Sequence, residues 1–149
     1  MAATGLRFAR IDLISGILGI VGLAISIYLT IVHYQEHLLV CAVGGGGCET
    51  VQTSKYATIG SIPIALLGIG MYVVILGLIV ARRYQPEWAF AATTAIFGIT
   101  LAGVLYEIYL TYVEIWVIDA ICPWCVTFAI VTLLIMIVEG WHVWQLVNE

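Results

Sequence analysis

"CPWCVTFAIVTLLIMIVEGWHVW", residues 122–144, decides how the rest of the chain folds. After the second cysteine come thirteen residues without a charge, and only Glu139 and His142 interrupt the apolar run near its end. About 20 consecutive apolar residues are enough to cross a bilayer as a helix. Three more stretches of this kind precede it, over residues 11–34, 59–81 and 88–113. The 149-residue chain is 63% hydrophobic and only 9% charged, against roughly a quarter charged in ordinary globular proteins. A soluble core of this size could not hide that much apolar surface, so the solvent for most of the chain is lipid. In lipid each backbone N–H and C=O must be satisfied within its own element, and continuous apolar runs do so as helices. The fold class expected is therefore all-α: an integral membrane four-helix bundle forming one domain over residues 1–149, with a long first outer loop that holds a possible short helix.

Arginine and lysine set the expected orientation. Arg7 and Arg10 precede the first span, Arg82 and Arg83 lie between spans two and three, and Lys55 alone lies in the long connection after span one. The positive-inside rule places both termini in the cytoplasm and turns the 35–58 and 114–121 loops outward. Trp88, Trp116, Trp141 and Trp144 fall where interfacial anchors are expected. The first span is too long for a signal peptide, lacks a small-residue cleavage site and is followed by three more spans, so it is read as retained. Five basic residues without a basic run give no footprint for nucleic acid.

Spans one and three echo each other. "IYLT" at 27–30 recurs at 108–111, Gly22 then falls on Gly103, and Cys41 on Cys122. Weak internal symmetry of this kind occurs in transporter-like folds, and chance matching in a small apolar alphabet is the alternative. Either way, each helical hairpin carries two cysteines at its outer turn: Cys41 with Cys48, and Cys122 with Cys125.

Three chemistries compete for these four thiols. Cys122-x2-Cys125 has zinc-knuckle spacing, but Cys41 and Cys48, with six residues between them, do not, and no metal is expected. Two structural disulfides are possible, although so small a ring as a CxxC bridge adds little loop-closure stabilisation. The third is redox exchange. "CPWC" opening a helix puts Cys122 at the N-cap and Pro123 at N1, where proline has no N–H to waste. The N–H groups and dipole of the first turn favour a thiolate there. Cys125, about 4.5 Å further along by helical rise, lies inside the lipid boundary, where it can meet a bilayer-soluble electron acceptor. The run "GGGG" between Cys41 and Cys48 is the freest tether available. It suits a thiol that must face Cys41 at one moment and Cys122 at the next, as thiol–disulfide exchange requires.

These residues carry a resemblance. "CETVQTSKYATIGSIP" (48–63), "YLTYVEIWVIDAICPWC" (109–125) and the order of the four cysteines resemble the vitamin K epoxide reductase family in its prokaryotic form. The resemblance covers nearly the whole chain. It implies a four-helix bundle around a quinone, with Cys125 facing the quinone and Cys122 facing the loop. It also implies Cys48 as the residue attacking Cys122, and Ser54 as a hydrogen-bond donor near the active site. The implied enzyme is a quinone-dependent disulfide oxidoreductase of the cell membrane, its cysteines extracytoplasmic. Its electrons would come from a thioredoxin-fold (DsbA-like) protein, expected as a separate chain because no fused thioredoxin-like domain follows the fourth span. Positions that carry polar quinone ligands in vertebrate members are Ile64 and Ala129 here, so a ubiquinone or menaquinone type is expected rather than an epoxide. A DsbB-type oxidase would perform the same chemistry with the two cysteine pairs in the opposite order, and a bundle with purely structural disulfides is the alternative that is not an enzyme.

Other residues carry weaker signals. Glu107 could carry a proton if buried, but its position favours an interfacial residue. His33, His37 and Glu114 fall at the outer boundary as solvated rim residues. Gly16, Gly19, Gly22, Gly68 and Gly70 are expected at close helix contacts. Tyr28 and Tyr109 are expected to pack.

Overall fold

The structure is a computed structural model that describes residues 2–35, with side chains from Ala9, and 47–148. It is 87% helical, which settles the class as all-α. Helix α1 (Ala2–Tyr34) is followed by a short helix α2 (Gly47–Gln52) and a two-stranded hairpin of β1 (Thr58–Ile59) and β2 (Ile62–Pro63). Then come α3 (Ile64–Tyr84), a single 3₁₀ turn (Pro86–Trp88) and α4 (Ala89–Val113). A π-helical turn (Glu114–Ile118) extends α4, and α5 (Pro123–Asn148) closes the chain. Four of these helical segments are long and apolar enough to cross a membrane: Ala9–Tyr34, Ile64–Tyr84, Pro86–Ile118 and Pro123–Asn148.

The hairpin takes up the first residues of the stretch expected as the second span. Thr58 pairs with Pro63 and Ile59 with Ile62, across a two-residue turn whose first position, Gly60, has φ +65. That left-handed conformation is open to glycine without steric cost. Pro63 then leaves the strand at φ −61 and ψ 137 and starts α3, a place where its missing N–H costs nothing. α3 ends at the pair Arg82–Arg83, with the Gln85 N–H closing on the Ala81 carbonyl.

The long helices pack in chain order round a ring: α1 on α3, α3 on α4, α4 on α5, and α5 back on α1. Their shared core is Ile25 and Leu29, Tyr72, Ile75 and Ile79, Ile96, and Val131 and Ile135. Close approach needs small residues where large ones face them. A side chain at Gly22 would land in the Tyr72 ring, and one at Gly68 would stand 3.0 Å from Ser26 Oγ and 3.1 Å from Phe128. Gly19 meets Leu76, whereas Gly16 and Gly70 face open space, so those two are not the helix contacts they were expected to be.

Polarity is inverted relative to a soluble bundle. Ile14, Ile17, Ile20, Val73, Val80, Leu105 and Ile137 face outward, while Ser15, Thr93, Thr100, Arg82, Glu139 and His142 are buried. An outer surface of this kind is stable against acyl chains, and buried polar groups are tolerated where they bind one another. They do so at the end of the bundle that holds both chain termini. The Arg82 guanidinium forks onto Glu139 (Nη1–Oε2 2.6 Å, Nη2–Oε1 2.9 Å), donates from Nε to Asp12 at 2.8 Å, and from Nη1 to Thr93 at 3.1 Å. Ser15 donates to Glu139 Oε1 at 2.5 Å, and His142 Nδ1 lies 3.8 Å from Glu139 Oε2. The cluster ties all four long helices together. It also moves Arg82 from the connection where it was expected into α3, with its charge paired inside the bundle.

Candidate active site

The opposite end of the bundle is built from α2, the π turn and the start of α5. Helix α2 begins at Gly47, the last of the four glycines, and a Cβ there would stand 2.7 Å from the Ile121 carbonyl oxygen. This glycine is needed for contact: it lets α2 lie directly on the backbone that leads into Cys122. Cys41 and Gly44 to Gly46 lie outside the described residues, and with them the expected hinge. One position into α2, Cys48 is 0% exposed and disulfide-bonded. It forms a single buried cluster with Val51 and Cys122.

Cys122 immediately precedes α5, and Pro123 is the first helical residue. The Cys122 sulfur accepts the Cys125 N–H at 3.3 Å, and its carbonyl accepts the Val126 N–H at 3.1 Å. It therefore caps the helix as serine or aspartate would. Cys122 and Cys125 are free thiols, and the Cys125 S–H donates to Cys122 Sγ at 2.7 Å. That hydrogen bond lowers the pKa of Cys122 below the ordinary thiol value, outweighing its burial, with help from the Cys125 and Trp124 N–H groups. The pair is thus unequal: Cys122 is the more acidic thiol, and Cys125 is its donor. Trp124 between them packs on Tyr28 at 4.9 Å between ring centroids, so Tyr28 packs as expected. Tyr109 is exposed, with Tyr106 as its ring neighbour at 6.0 Å.

Glu114 is not the solvated rim residue it was expected to be. It is buried, and its Oε2 accepts the Cys122 N–H at 3.2 Å. The cause is local. α4 widens into a π turn at Glu114, the Glu114 carbonyl accepts the Ala120 N–H at 3.0 Å, and Asp119 reverses the chain at φ 54. The chain doubles back and places Cys122 beside the carboxylate. π turns are rare and concentrate at functional sites.

Beside the thiols lies a largely apolar cavity of about 440 Å³, whose walls include Gln52, Ser54, Ile64, Glu107, Glu114 and Cys125. Its size and character suit a small organic ligand. Gln52 Nε2 stands 3.9 Å from Cys125 Sγ. Ser54 is on the wall, but its hydroxyl donates to the Val51 carbonyl at 2.7 Å, closing the turn after α2. Glu107 is not an interfacial residue either. It is 9% exposed, and its Oε1 accepts the Thr132 hydroxyl at 2.7 Å; Thr132 in turn lies 2.9 Å from the Tyr72 hydroxyl. His33 is half-buried with its ring edge-on to Tyr34 at 5.5 Å, and His37 lies outside the described residues.

Gln52, Tyr72 and Thr132 were not singled out from the sequence. Two signals could have found them. Gln52 sits four residues after Cys48, on the same helical face, and a threonine or tyrosine inside an apolar span needs a polar partner. Compared with known proteins, the chain matches the sequence model of the vitamin K epoxide reductase family over residues 13–139, a stretch that contains all four cysteines, Glu107 and Glu114.

Proposed function

The chain belongs to the vitamin K epoxide reductase family, and from that premise we propose that it is a membrane disulfide-generating oxidase. Membership makes it an oxidoreductase of a family that acts with quinones. In the proposed reaction an extracytoplasmic thioredoxin-fold protein reduces the Cys41–Cys48 pair, which reduces Cys122–Cys125, and Cys125 passes the electrons to a quinone of the ubiquinone or menaquinone type. Both termini are then cytoplasmic, and the cysteine end of the bundle faces outward.

The residues divide the work as follows. The Cys48 thiolate attacks Cys122 Sγ in the oxidised Cys122–Cys125 pair. An S–S bond forms between Cys48 and Cys122, the Cys122–Cys125 bond breaks, and Cys125 leaves with the electron pair and takes up a proton. Cys41 then attacks Cys48, and Cys122 leaves as a thiolate. A low-pKa thiol is the better leaving group, and the hydrogen bond from Cys125 gives Cys122 that property. Glu114, bonded to the Cys122 N–H, is placed to exchange protons with the pair. Gln52 can donate to the Cys125 sulfur, and Ser54 shapes the cavity wall through its bond to Val51. A bound quinone supplies the capacity to take up two electrons and two protons.

One observation carries the reading. Of two adjacent free thiols, Cys122 is packed with disulfide-bonded Cys48 and Cys125 lines an apolar cavity, so the pair connects a disulfide donor to a ligand site. Two experiments test it. Cys125→Ala should abolish quinone reduction by a reduced thioredoxin-fold protein; retained reduction would sink the proposal. With Cys41 and Cys125 both replaced, thiol trapping should capture a Cys48–Cys122 mixed disulfide, which purely structural disulfides would not form.

A further inference from the structure

The cavity has a polar group at a distance from the sulfurs. Glu107 and Glu114 are seven residues apart on one continuous helical run, which is two turns, or roughly 10 Å along the axis. Both line the cavity. Glu114 is committed to the Cys122 N–H. Glu107 is held on one side only: Thr132 donates to Oε1, while Oε2 is buried with no hydrogen-bond partner among the described residues.

The hydroxyl protons can be assigned. Tyr72 and Thr132 each carry one. The Thr132 oxygen lies within reach of Glu107 Oε1, the Phe128 carbonyl and the Tyr72 hydroxyl. Thr132 spends its one proton on Oε1 or on the Phe128 carbonyl, so in its contact with Tyr72 the tyrosine hydroxyl is the donor. Neither proton reaches Oε2. Nor is there a cation beside it among the described residues: Arg82 is bound to Asp12 and Glu139 at the other end of the bundle. An ionised carboxylate without a counter-charge is costly to bury, so the cavity meets a carboxylic acid whose O–H sits on Oε2. Ser26 and Ser54, also on the wall, turn their hydroxyls to the Gly22 and Val51 carbonyls.

We propose that Glu107 donates a hydrogen bond, and then a proton, to a carbonyl oxygen of the electron acceptor in this cavity, with Thr132 and Tyr72 as positioning residues that hold the acid by its other oxygen. The proposal rests on the quinone reading above and adds the residue that meets the acceptor's oxygen. The balance closes. Cys122 and Cys125 lose two electrons and two protons in forming their S–S bond, and the acceptor gains two of each as both carbonyls become hydroxyls. Glu107 gives up one proton and recovers one released by the thiols, so it returns unchanged.

The test uses the full-length protein in detergent with a short-chain benzoquinone as the probe, comparing wild type, Glu107→Gln and Glu107→Leu. Binding is read by quenching of tryptophan fluorescence, turnover by quinone absorbance, and the acid by its infrared C=O band. Glu107→Gln keeps a donor but has no acidic proton. It should bind the quinone within a few-fold of wild type and reduce it about 100-fold more slowly, the lower end of general-acid effects. Glu107→Leu should also bind about tenfold more weakly, the loss of one hydrogen bond. In wild type the protonated-carboxyl band should shift when quinone is added, and it should be missing from Glu107→Gln. Wild-type turnover in Glu107→Gln, or a wild-type carboxyl band unmoved by quinone, overturns the proposal; the band decides even if the variants do not fold. Failure of wild type itself to reduce the quinone would instead overturn the reading on which the proposal rests.

Discussion

The two ends of the bundle use buried polar groups in opposite ways. At the end that holds the termini, Arg82 makes four hydrogen bonds to Asp12, Thr93 and Glu139, and Ser15 adds a third hydrogen bond to the Glu139 carboxylate. At the cysteine end, two free thiols share one hydrogen bond, and buried Glu107 keeps an oxygen without a hydrogen-bond partner among the described residues. The backbone differs in the same sense. Around Arg82 the helices are regular, whereas the cysteine end carries a π turn, a left-handed aspartate and a glycine turn. A network of charges paired with one another clamps helices together. An open hydrogen-bonding atom facing a cavity is what a reaction site can use.

The largest expected effect breaks the closed end. Arg82→Met leaves the buried Glu139 without its cation, while half-buried Asp12 keeps only Arg83 at 3.9 Å among the described residues, and removing one partner of a buried pair costs about 3 kcal/mol or more. Unfolding in mixed detergent should show that loss, while the folded fraction still exchanges disulfides at its ordinary rate. A variant as stable as wild type would end the comparison. A smaller effect is expected at the contact between the loop and α5. Gly47→Ala pushes a methyl against the Ile121 carbonyl and lifts α2 from Cys122. Transfer from Cys48 to Cys122 should slow about tenfold, equivalent to about 1.4 kcal/mol of barrier, without a matching loss in quinone reduction by pre-reduced Cys122–Cys125. Stopped-flow exchange separates the two steps.

The smallest effect sharpens the open end. The pKa of Cys122 is lowered, chiefly by the Cys125 S–H, so more of it is thiolate at neutral pH than of an ordinary cysteine. Thiolate absorbance should therefore rise at lower pH than for a free thiol. In Cys125→Ala the rise should move to higher pH, because the hydrogen bond that favours the charged form is gone. A titration unchanged by Cys125→Ala would assign the shift to the helix start alone.

Much of the fold was legible because lipid imposes one simple demand, a long apolar run, and the chain meets it four times. The cysteine pairs were legible because CPWC at a helix start has few competing uses. What escaped the sequence were directions. Arg82 and Arg83 both counted as loop charges because the apolar run stops at Ala81; only packing shows that α3 continues through them and that Arg82 turns inward to Glu139 while Arg83 stays exposed. Glu114 lay where a span should end, and no residue pattern announces that α4 continues as a π turn. Glu107 sits between Tyr106 and Ile108, and nothing local says that Thr132, on another helix, faces it. Gly16 and Gly70 had the same claim to helix contacts as Gly22, but contact depends on what stands opposite.

The π turn gives the 114–122 segment an unusual kind of fragility. A π turn holds one more residue than the α turn it replaces. Deleting any one of Ile115 to Ile118 would let α4 wind on as ordinary helix, and the next positions would swing round by about 100°. Cys122 would then lose its seat over Glu114 even though every chemical group survived. Asparagine or glycine in place of left-handed Asp119 would keep the reversal. Insertions and deletions are another matter: the segment works as a ruler, and its length sets where Cys122 sits.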